Sequence, residues 1–253
     1  MLIAADNLHG LNAVVAKAME QLDPTPIREM VKRFEQNGAD CVDINPGYLT
    51  PRKEDRITFL VDVVQKVCSL RIILDSPSPR VLKRGVLACD KPPILNALSL
   101  ETNKISELLP LAVESHADLI ILLMDETSYS PAKMEEKISL AIELRHKAMA
   151  AGMAPDSLVF DPVLPSLRWD DSLPRISECV KTVRLLSSGA VFQETARTIV
   201  GLSNLRSGFR SFFPAQLEYN CLGLLAGAGI DMVLADILDP TLRDFIASIR
   251  TLC

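Results

Sequence analysis

Carboxylate and amide side chains recur in this sequence at the points where short apolar runs end. The runs end, in chain order, at Asp6, Asp43 with Asn45, Asp75, Asn96, Asp125, Asp161, Asn204 and Asp236. Carboxylates accept hydrogen bonds and amides both donate and accept them, so such a set suits a ligand rich in N–H donors and C=O acceptors. Each residue alone can also be explained by turn or helix-cap chemistry. Their repetition indicates a shared polar site.

The segment TIVGLSNLRSG, residues 198–208, shows the pattern clearly, because a buried strand stops abruptly at Ser203 and Asn204. Either Asn204 supplies the conformation of a turn, or the strand delivers its amide to a ligand. Arg206 and Arg210 follow closely and leave a phosphate ligand open. A pterin suits the set better than a sugar phosphate, since its amino group and ring N–H can face Asp75 and Asp161 while Asn96 donates and accepts.

The elements that must position these residues are short strands separated by longer segments with helical periodicity. Ile27, Val31 and Phe34 share a helix face after Pro26, and Met134, Ile138 and Ile142 repeat at four-residue intervals before Gly152. The Gly-Ala-Gly at 227–229 precedes a strand, so it indicates a helix end and not a dinucleotide site. Strands are predicted near 2–5, 40–44, 71–74, 93–96, 118–123, 157–160, 197–202 and 231–235.

Eight such βα units without a linker predict an α/β fold, a single-domain (β/α)8 TIM barrel over residues 1–253. In this fold the carboxyl ends of all strands meet on one face, where the βα loops form the active site. The polar residues at the strand ends are therefore expected to surround one pocket.

Composition excludes several other classes of function. Lys and Arg number 27 against 32 Asp and Glu, a net charge of −5, and no basic cluster suggests nucleic-acid binding. The most apolar stretch, 108–124, is interrupted by Glu114, His116 and Asp118, so no membrane span or membrane partner is expected. The six cysteines lack the spacing of a metal site. Without a signal sequence, the expected state is reduced thiols in a cytoplasmic protein.

Five segments resemble, in order and spacing, the pterin-binding barrels, and in particular the methyltetrahydrofolate:corrinoid protein methyltransferases. They are ADCVDINPG (39–47), LDSPSPRVLKRGV (74–86), ILNALSLE (94–101), FDPVLPS (160–166) and IVGLSNLRSG (199–208). The resemblance implies that Asp75, Asn96 and Asp161 bind the pterin edge and that Asn204 is catalytic, at N5 of the folate. Asp6 and Asp43 are expected to belong to the same pterin site.

The implied reaction moves a methyl group between N5 of methyltetrahydrofolate and the cobalt of a corrinoid. The spacing of Asp6, His9 and Gly10 does not match the Asp-x-His-x-x-Gly motif of corrinoid-carrying domains, so the corrinoid is expected on a separate partner protein. Neither a metal nor a corrinoid is expected on this chain, and relatives form homodimers. The identity of the corrinoid protein and the direction of transfer stay open.

Two departures and two alternatives accompany the resemblance. His9 and Asp125 stand where relatives usually have Asn, and the roles of both stay open. The first alternative is a dihydropteroate synthase-like enzyme, although the basic residues expected at its seventh and eighth strands are not evident. The second is a folate-binding subunit without catalytic activity.

Overall fold

Eight parallel strands close into a barrel in which each strand pairs with its two neighbours in chain order, and β1 pairs with β8. The structure is a computed structural model that describes residues 1–252. The strands are β1 Leu2–Ala5, β2 Cys41–Ile44, β3 Arg71–Asp75, β4 Ile94–Leu98, β5 Asp118–Leu122, β6 Leu158–Asp161, β7 Arg197–Gly201 and β8 Met232–Ala235. The predicted (β/α)8 barrel is confirmed, and so are the approximate positions of its strands.

Helices surround the barrel and connect successive strands, with two of them between β1 and β2. They are α1 Ala13–Gln21, α2 Thr25–Gln36, α3 Arg56–Gln65, α4 Pro79–Ala88, α5 Thr102–Glu114, α6 Met134–Ala150, α7 Ser172–Ser187, α8 Gln216–Ala226 and α9 Pro240–Leu252. In α2 the buried residues are Ile27, Val31 and Phe34, as the sequence predicts. Among residues 1–252, no helix is both long enough and apolar enough to cross a membrane.

The four-residue repeat of Met134, Ile138 and Ile142 predicts a helix, and the structure has α6 there. The buried face of α6 is formed by Lys137, Ala141, Leu144 and Ala148, while Ile142 is 50% exposed. A strict four-residue repeat drifts around a helix of 3.6 residues per turn, whereas the spacing of the buried set stays on one stripe.

The strands alternate between an outward face that packs on the helices and an inward face that fills the barrel. Ala4, Cys41, Ile73, Ile94 and Val159 belong to the apolar cluster inside the barrel. The next inward position toward the carboxyl end of each of these strands is polar: Asp6, Asp43, Asp75, Asn96 and Asp161. We call these five residues the polar ring. The pleat of the strands therefore directs the ring toward the barrel mouth.

Cys41, Cys68, Cys89, Cys179 and Cys221 are free thiols. The expectation of reduced cysteines is met for these five. Cys253 lies outside the described residues. Burial raises the pKa of the Cys89 and Cys221 thiols to about 12, so both are unreactive as nucleophiles at neutral pH.

Candidate active site

A cavity of about 860 Å³ opens at the carboxyl end of the barrel. All five residues of the polar ring line it, and so does Asn204. The structure thus brings together the six residues that the sequence predicts for the site. Their roles toward a ligand remain predictions.

Asn45 fixes the orientation of Asp75 on one side of the cavity. Its Nδ2 donates a hydrogen bond to Asp75 Oδ2 at 2.7 Å, and its Oδ1 accepts one from the Gly47 backbone N–H at 3.0 Å. Asp75 in turn pairs in register with Asn96 on β4. Because Asn45 already holds the Asp75 side chain in one orientation, Asp75 loses little rotamer freedom when a ligand binds in the cavity.

The loop after β1 holds Asn45 through backbone contacts. The Asn45 N–H donates to the Leu8 carbonyl at 3.1 Å, and the Gly10 N–H donates to the Asn45 carbonyl at 2.8 Å. A Cβ on Gly10 would lie 2.5 Å from the Pro46 carbonyl oxygen, so a larger residue would separate the two loops. Gly10 therefore permits the close approach that positions Asn45.

Asp161 is buried at the end of β6, with 6% of its surface exposed. Its Oδ1 accepts a hydrogen bond from the Val163 N–H at 2.7 Å. Val163 adopts a left-handed conformation, with φ of 61°, which turns its N–H back toward the carboxylate. Within the described chain Asp161 Oδ2 has no hydrogen-bond partner, and it is the oxygen left for a ligand.

The barrel raises the proton affinity of the polar ring. Burial raises the pKa of Asp6 to about 6, of Asp75 to about 6 and of Asp161 to about 7. Burial and the neighbouring Asp75 and Asp6 raise the pKa of Asp43 as well. Asp43 is 4% exposed, and its Oδ1 has no partner among the described residues. A ligand with N–H donors would supply the missing hydrogen bonds.

Asn204 occupies the rim of the cavity in a short 3-10 helix, Leu202–Arg206, that follows β7 directly. Its amide lies against Gly201, where an added Cβ would be 3.0 Å from Asn204 Nδ2. The loop beyond it is held by Arg206, which donates to the Phe213 carbonyl at 2.7 Å and to Glu218 Oε2 at 3.1 Å. Strand β7 thus presents the amide to the cavity, and Arg206 supports the loop from outside it.

Asp125 and Asp236, two of the strand-end residues, do not line the cavity, so the expectation that the polar residues at all the strand ends surround it is wrong for these two; β5 and β8 contribute Leu122 and Leu234 instead. Asp125 comes after the end of β5, beyond the pleat, and accepts from the backbone N–H groups of Thr127 and Tyr129 in an exposed turn. Asp236 accepts from Asn7 Nδ2 at 2.6 Å and from the Leu238 N–H at 3.1 Å. Both serve local structure.

Other residues at the mouth carry weaker sequence signals. His9 and Arg210 line the cavity, and burial together with Arg210 lowers the pKa of His9. Leu11 and Tyr48 also line it and are 93% and 86% exposed. Trp169 is not part of the lining, and its ring lies 5.3 Å from the Arg175 guanidinium carbon. Exposed apolar residues beside a polar cavity indicate a surface that meets another molecule.

The polar ring is suited to an organic ligand. Across the described chain, no group of three or more His, Cys, Asp or Glu side chains has the arrangement of a metal site. The ring combines four carboxyl groups with one amide and lies above an apolar barrel interior. This combination fits a flat heterocycle with several N–H donors.

The sequence was compared with those of known protein families. Residues 12–234 match the family described as pterin binding enzymes. The chain belongs to this family. The match begins at the amino end of α1 and ends within β8, so it includes Asp43, Asp75, Asn96, Asp161 and Asn204.

This pterin-binding enzyme is similar to the methylcorrinoid:tetrahydrofolate methyltransferase of Eubacterium limosum. The two are 27% identical over 254 residues, which cover 98% of this chain and 89% of the relative. The similarity confirms the resemblance drawn from the five segments.

Solved structures of dihydropteroate synthases share the fold. The enzyme from Xanthomonas albilineans, solved with 4-aminobenzoic acid, has a TM-score of 0.73 at 14% identity, covering 99% of this chain and 91% of that one. The enzyme from Thermus thermophilus has a TM-score of 0.68 at 16% identity, covering 89% and 87%. At these identities the likeness establishes the barrel and not the reaction.

Proposed function

We propose that this enzyme transfers a methyl group between N5 of methyltetrahydrofolate and the cobalt of a corrinoid carried by a separate protein, and that the whole chain serves as one pterin-binding domain. The observation that carries the proposal is the arrangement of Asp75, Asn96 and Asp161 around one cavity with Asn204 at its rim. The similarity to a methylcorrinoid:tetrahydrofolate methyltransferase supports it.

The polar ring matches the hydrogen-bonding edge of a pterin. The 2-amino group and the ring N–H of the pterin donate to Asp75 and Asp161, and Asn96 both donates and accepts. A cavity of about 860 Å³ is large enough for the pterin and for part of the aryl tail. Buried polar groups that lack partners cost free energy, so the ring favours a ligand that satisfies all of them.

Asn204 acts on the reacting atom in this proposal. A tertiary amine is a poor leaving group, because the C–N bonding pair stays on N5 when the methyl group departs. N5 must therefore be protonated before or during the transfer. An amide does not give up a proton at neutral pH, but it can hydrogen-bond N5 and stabilise its protonated form. Asp6 and Asp161, with pKa values raised by burial to about 6 and about 7, lie in the same cavity.

The corrinoid reaches the methyl group from outside the barrel. Co(I) is the nucleophile, and the corrinoid supplies that chemistry as a substrate bound to its own protein. The exposed side chains of Leu11 and Tyr48 at the mouth offer apolar surface to an approaching partner. The corrinoid protein docks there in this proposal, over the folate.

Dihydropteroate synthesis is the second candidate, because the solved structures that share this fold carry that activity in their names. That reaction releases pyrophosphate, which calls for cationic groups in the site. Among the described residues that line the cavity, Arg210 is the only Lys or Arg side chain, and it is 3.9 Å from the Asp236 carboxylate. Arg210 therefore supports dihydropteroate synthesis only weakly, because it is a single cation that already lies near a carboxylate.

One assay separates the candidates. Purified protein is incubated anaerobically with [methyl-14C]methyltetrahydrofolate and cob(I)alamin, and separately with dihydropterin pyrophosphate and 4-aminobenzoic acid. We expect labelled methylcobalamin in the first mixture and no dihydropteroate in the second. The opposite result would overturn the proposal. Folate binding without transfer, to cobalamin or to any of a set of corrinoid proteins, would identify a non-catalytic binding subunit.

A further inference from the structure

A lysine occupies the buried face of α6, directly behind the polar ring. Lys137 is 2% exposed, while the other buried residues of that face are Ala141, Leu144 and Ala148. Lysine is seldom buried to this extent unless its ammonium group is paired, because desolvating a charge costs free energy. Its position calls for an explanation that packing alone does not give.

The ammonium group binds the turn that follows Asp161. Lys137 Nζ donates to the Pro162 carbonyl at 2.6 Å and to Ser130 Oγ at 2.6 Å. Pro162 lies between Asp161 and Val163, whose N–H holds Asp161 Oδ1. One lysine side chain therefore connects α6, the loop after β5 and the turn after β6.

Four ionisable groups surround Lys137. Burial lowers the pKa of Lys137 below its ordinary value, while Cys179, Asp161 and Glu136 favour the charged form and Arg175 opposes it. Burial keeps the Cys179 thiol neutral by raising its pKa to about 11. Glu136 is on the exposed side of α6, and Arg175 is paired with Asp171 at 2.7 Å. Asp161 is thus the buried carboxylate that a charged Lys137 stabilises.

We propose that Lys137 is a positioning residue, which favours the ionised form of Asp161 for the N–H groups of the pterin and fixes the turn that orients its carboxylate. The inference rests on the proposed function for the identity of the ligand. The effect of Lys137 on the titration of Asp161 does not depend on any ligand.

The charge of Lys137 matters because burial works against it. Burial raises the pKa of Asp161 to about 7, although the Val163 N–H and Lys137 both act to lower it. Without the ammonium charge, the pKa of Asp161 would lie higher, and more of the carboxyl group would be protonated at neutral pH. A protonated carboxyl presents an O–H where the pterin presents N–H donors, so binding would first have to remove that proton. If Lys137 served only to hold the turn after β6, an uncharged N–H donor at this position would be sufficient.

Two substitutions separate these roles. Lys137→Gln keeps an N–H donor without the charge, and Lys137→Met removes both. Lys147→Gln is the matched control, because Lys147 is on the same helix with 40% of its side chain exposed. The titration of Asp161 is followed by 13C NMR of labelled aspartate carboxyl groups in the ligand-free protein. The dissociation constant for methyltetrahydrofolate is measured from pH 6 to 9.

Both Lys137 variants should titrate Asp161 about one pH unit or more above the unsubstituted protein, and bind folate about tenfold or more weakly at pH 7. Affinity should recover at pH 9, and Lys147→Gln should match the unsubstituted protein. A folded Lys137→Gln with an unchanged Asp161 titration overturns the inference. So does a loss of affinity that pH 9 does not restore.

The inference stays testable if neither variant folds. In the unsubstituted protein, 15N NMR of lysine side chains should show one ammonium group that is protonated at pH 8 and slow to exchange with solvent. A neutral Lys137 amine at that pH overturns the inference. If the protein binds no methyltetrahydrofolate at any pH, the proposed function fails, while the Asp161 titration still decides the role of Lys137.

Discussion

Burial in the barrel raises the pKa of the carboxyl groups of the polar ring. Asp161 has a pKa of about 7, and it receives N–H donors in the proposed complex. Donors stabilise the charged form, so folate binding must release the proton that Asp161 holds at lower pH.

Affinity for methyltetrahydrofolate should therefore depend on pH. We expect it to be nearly constant above pH 7 and to fall by about tenfold for each pH unit below 7, since one bound proton must be displaced. Isothermal titration calorimetry in buffers of different ionisation enthalpy would measure both the affinity and the released proton. An affinity that is constant from pH 5.5 to 8 would contradict the role of Asp161.

Asp6 should reduce the stability of the fold for the same reason. Burial raises its pKa from the ordinary 3.8 to about 6, so the folded state binds a proton more tightly than the unfolded state. Its contribution to stability therefore falls as the pH rises from about 4 to 6 and stays low above 6.

Asp6→Asn should then raise the free energy of unfolding at pH 8 by about 1–3 kcal/mol and leave it nearly unchanged at pH 4. Urea unfolding at both pH values is the measurement. Asp170→Asn, on an exposed loop, is the control and should have no effect at either pH. Equal changes at pH 4 and 8 would show that the pKa of Asp6 is not the cause.

At the scale of elements, the end of β7 determines where Asn204 lies. Gly201 ends the strand, and its lack of a side chain leaves room for the Asn204 amide. An alanine Cβ there would lie 3.0 Å from Asn204 Nδ2, which is closer than ordinary van der Waals contact. The strand therefore controls the position of Asn204 through the space that Gly201 leaves.

Gly201→Ala should slow methyl transfer by about tenfold or more while folate affinity changes little, because a small displacement of a catalytic group costs rate. Gly223→Ala on α8 is the matched control, since its Cβ would meet nothing closer than Phe245 at 3.7 Å. The control should leave transfer unchanged and stabilise the helix by about 0.5–1 kcal/mol. Unchanged transfer in Gly201→Ala would show that Asn204 tolerates the displacement.

The sequence predicts a site residue well when that residue lies on a strand, and poorly when it lies in a loop or on a helix. Asp43, Asp75 and Asp161 occupy pleat positions, so the apolar alternation before them predicts both their strands and their direction. Asp125 looks equivalent in sequence but falls in a turn, where the pleat no longer controls its direction. Lys137 could not be found, because a lysine in a helix predicts an exposed face and its partners come from two distant loops.

For the whole molecule, the barrel does not determine the reaction, because similar folds are named as dihydropteroate synthases and a methyltransferase relative shares 27% of its residues. The helices on the outside of the barrel carry a set of exposed leucines on α7 and α8. These are Leu173, Leu217 and Leu224, with 72%, 36% and 59% of their surfaces exposed.

We expect the enzyme to form a homodimer through such a helical surface. Analytical ultracentrifugation at micromolar concentration should give twice the chain mass, and Leu224→Glu should shift it toward monomer. Leu87→Glu on α4 is the control, because Leu87 is 78% exposed on another side of the barrel and should leave the dimer intact. A monomer in the unsubstituted protein would reject the expectation.

We propose that Asn204 assists the departure of the methyl group from N5, in a cavity whose polar ring binds the folate. The most direct test is the single-turnover rate of methyl transfer to cob(I)alamin in Asn204→Ala, with the folate dissociation constant measured on the same sample. Asn220→Ala, on the exposed side of α8, is the matched control. We predict a rate about 10²- to 10³-fold lower in Asn204→Ala with affinity changed only slightly. An unchanged rate in Asn204→Ala, or an equal loss in Asn220→Ala, would contradict this account.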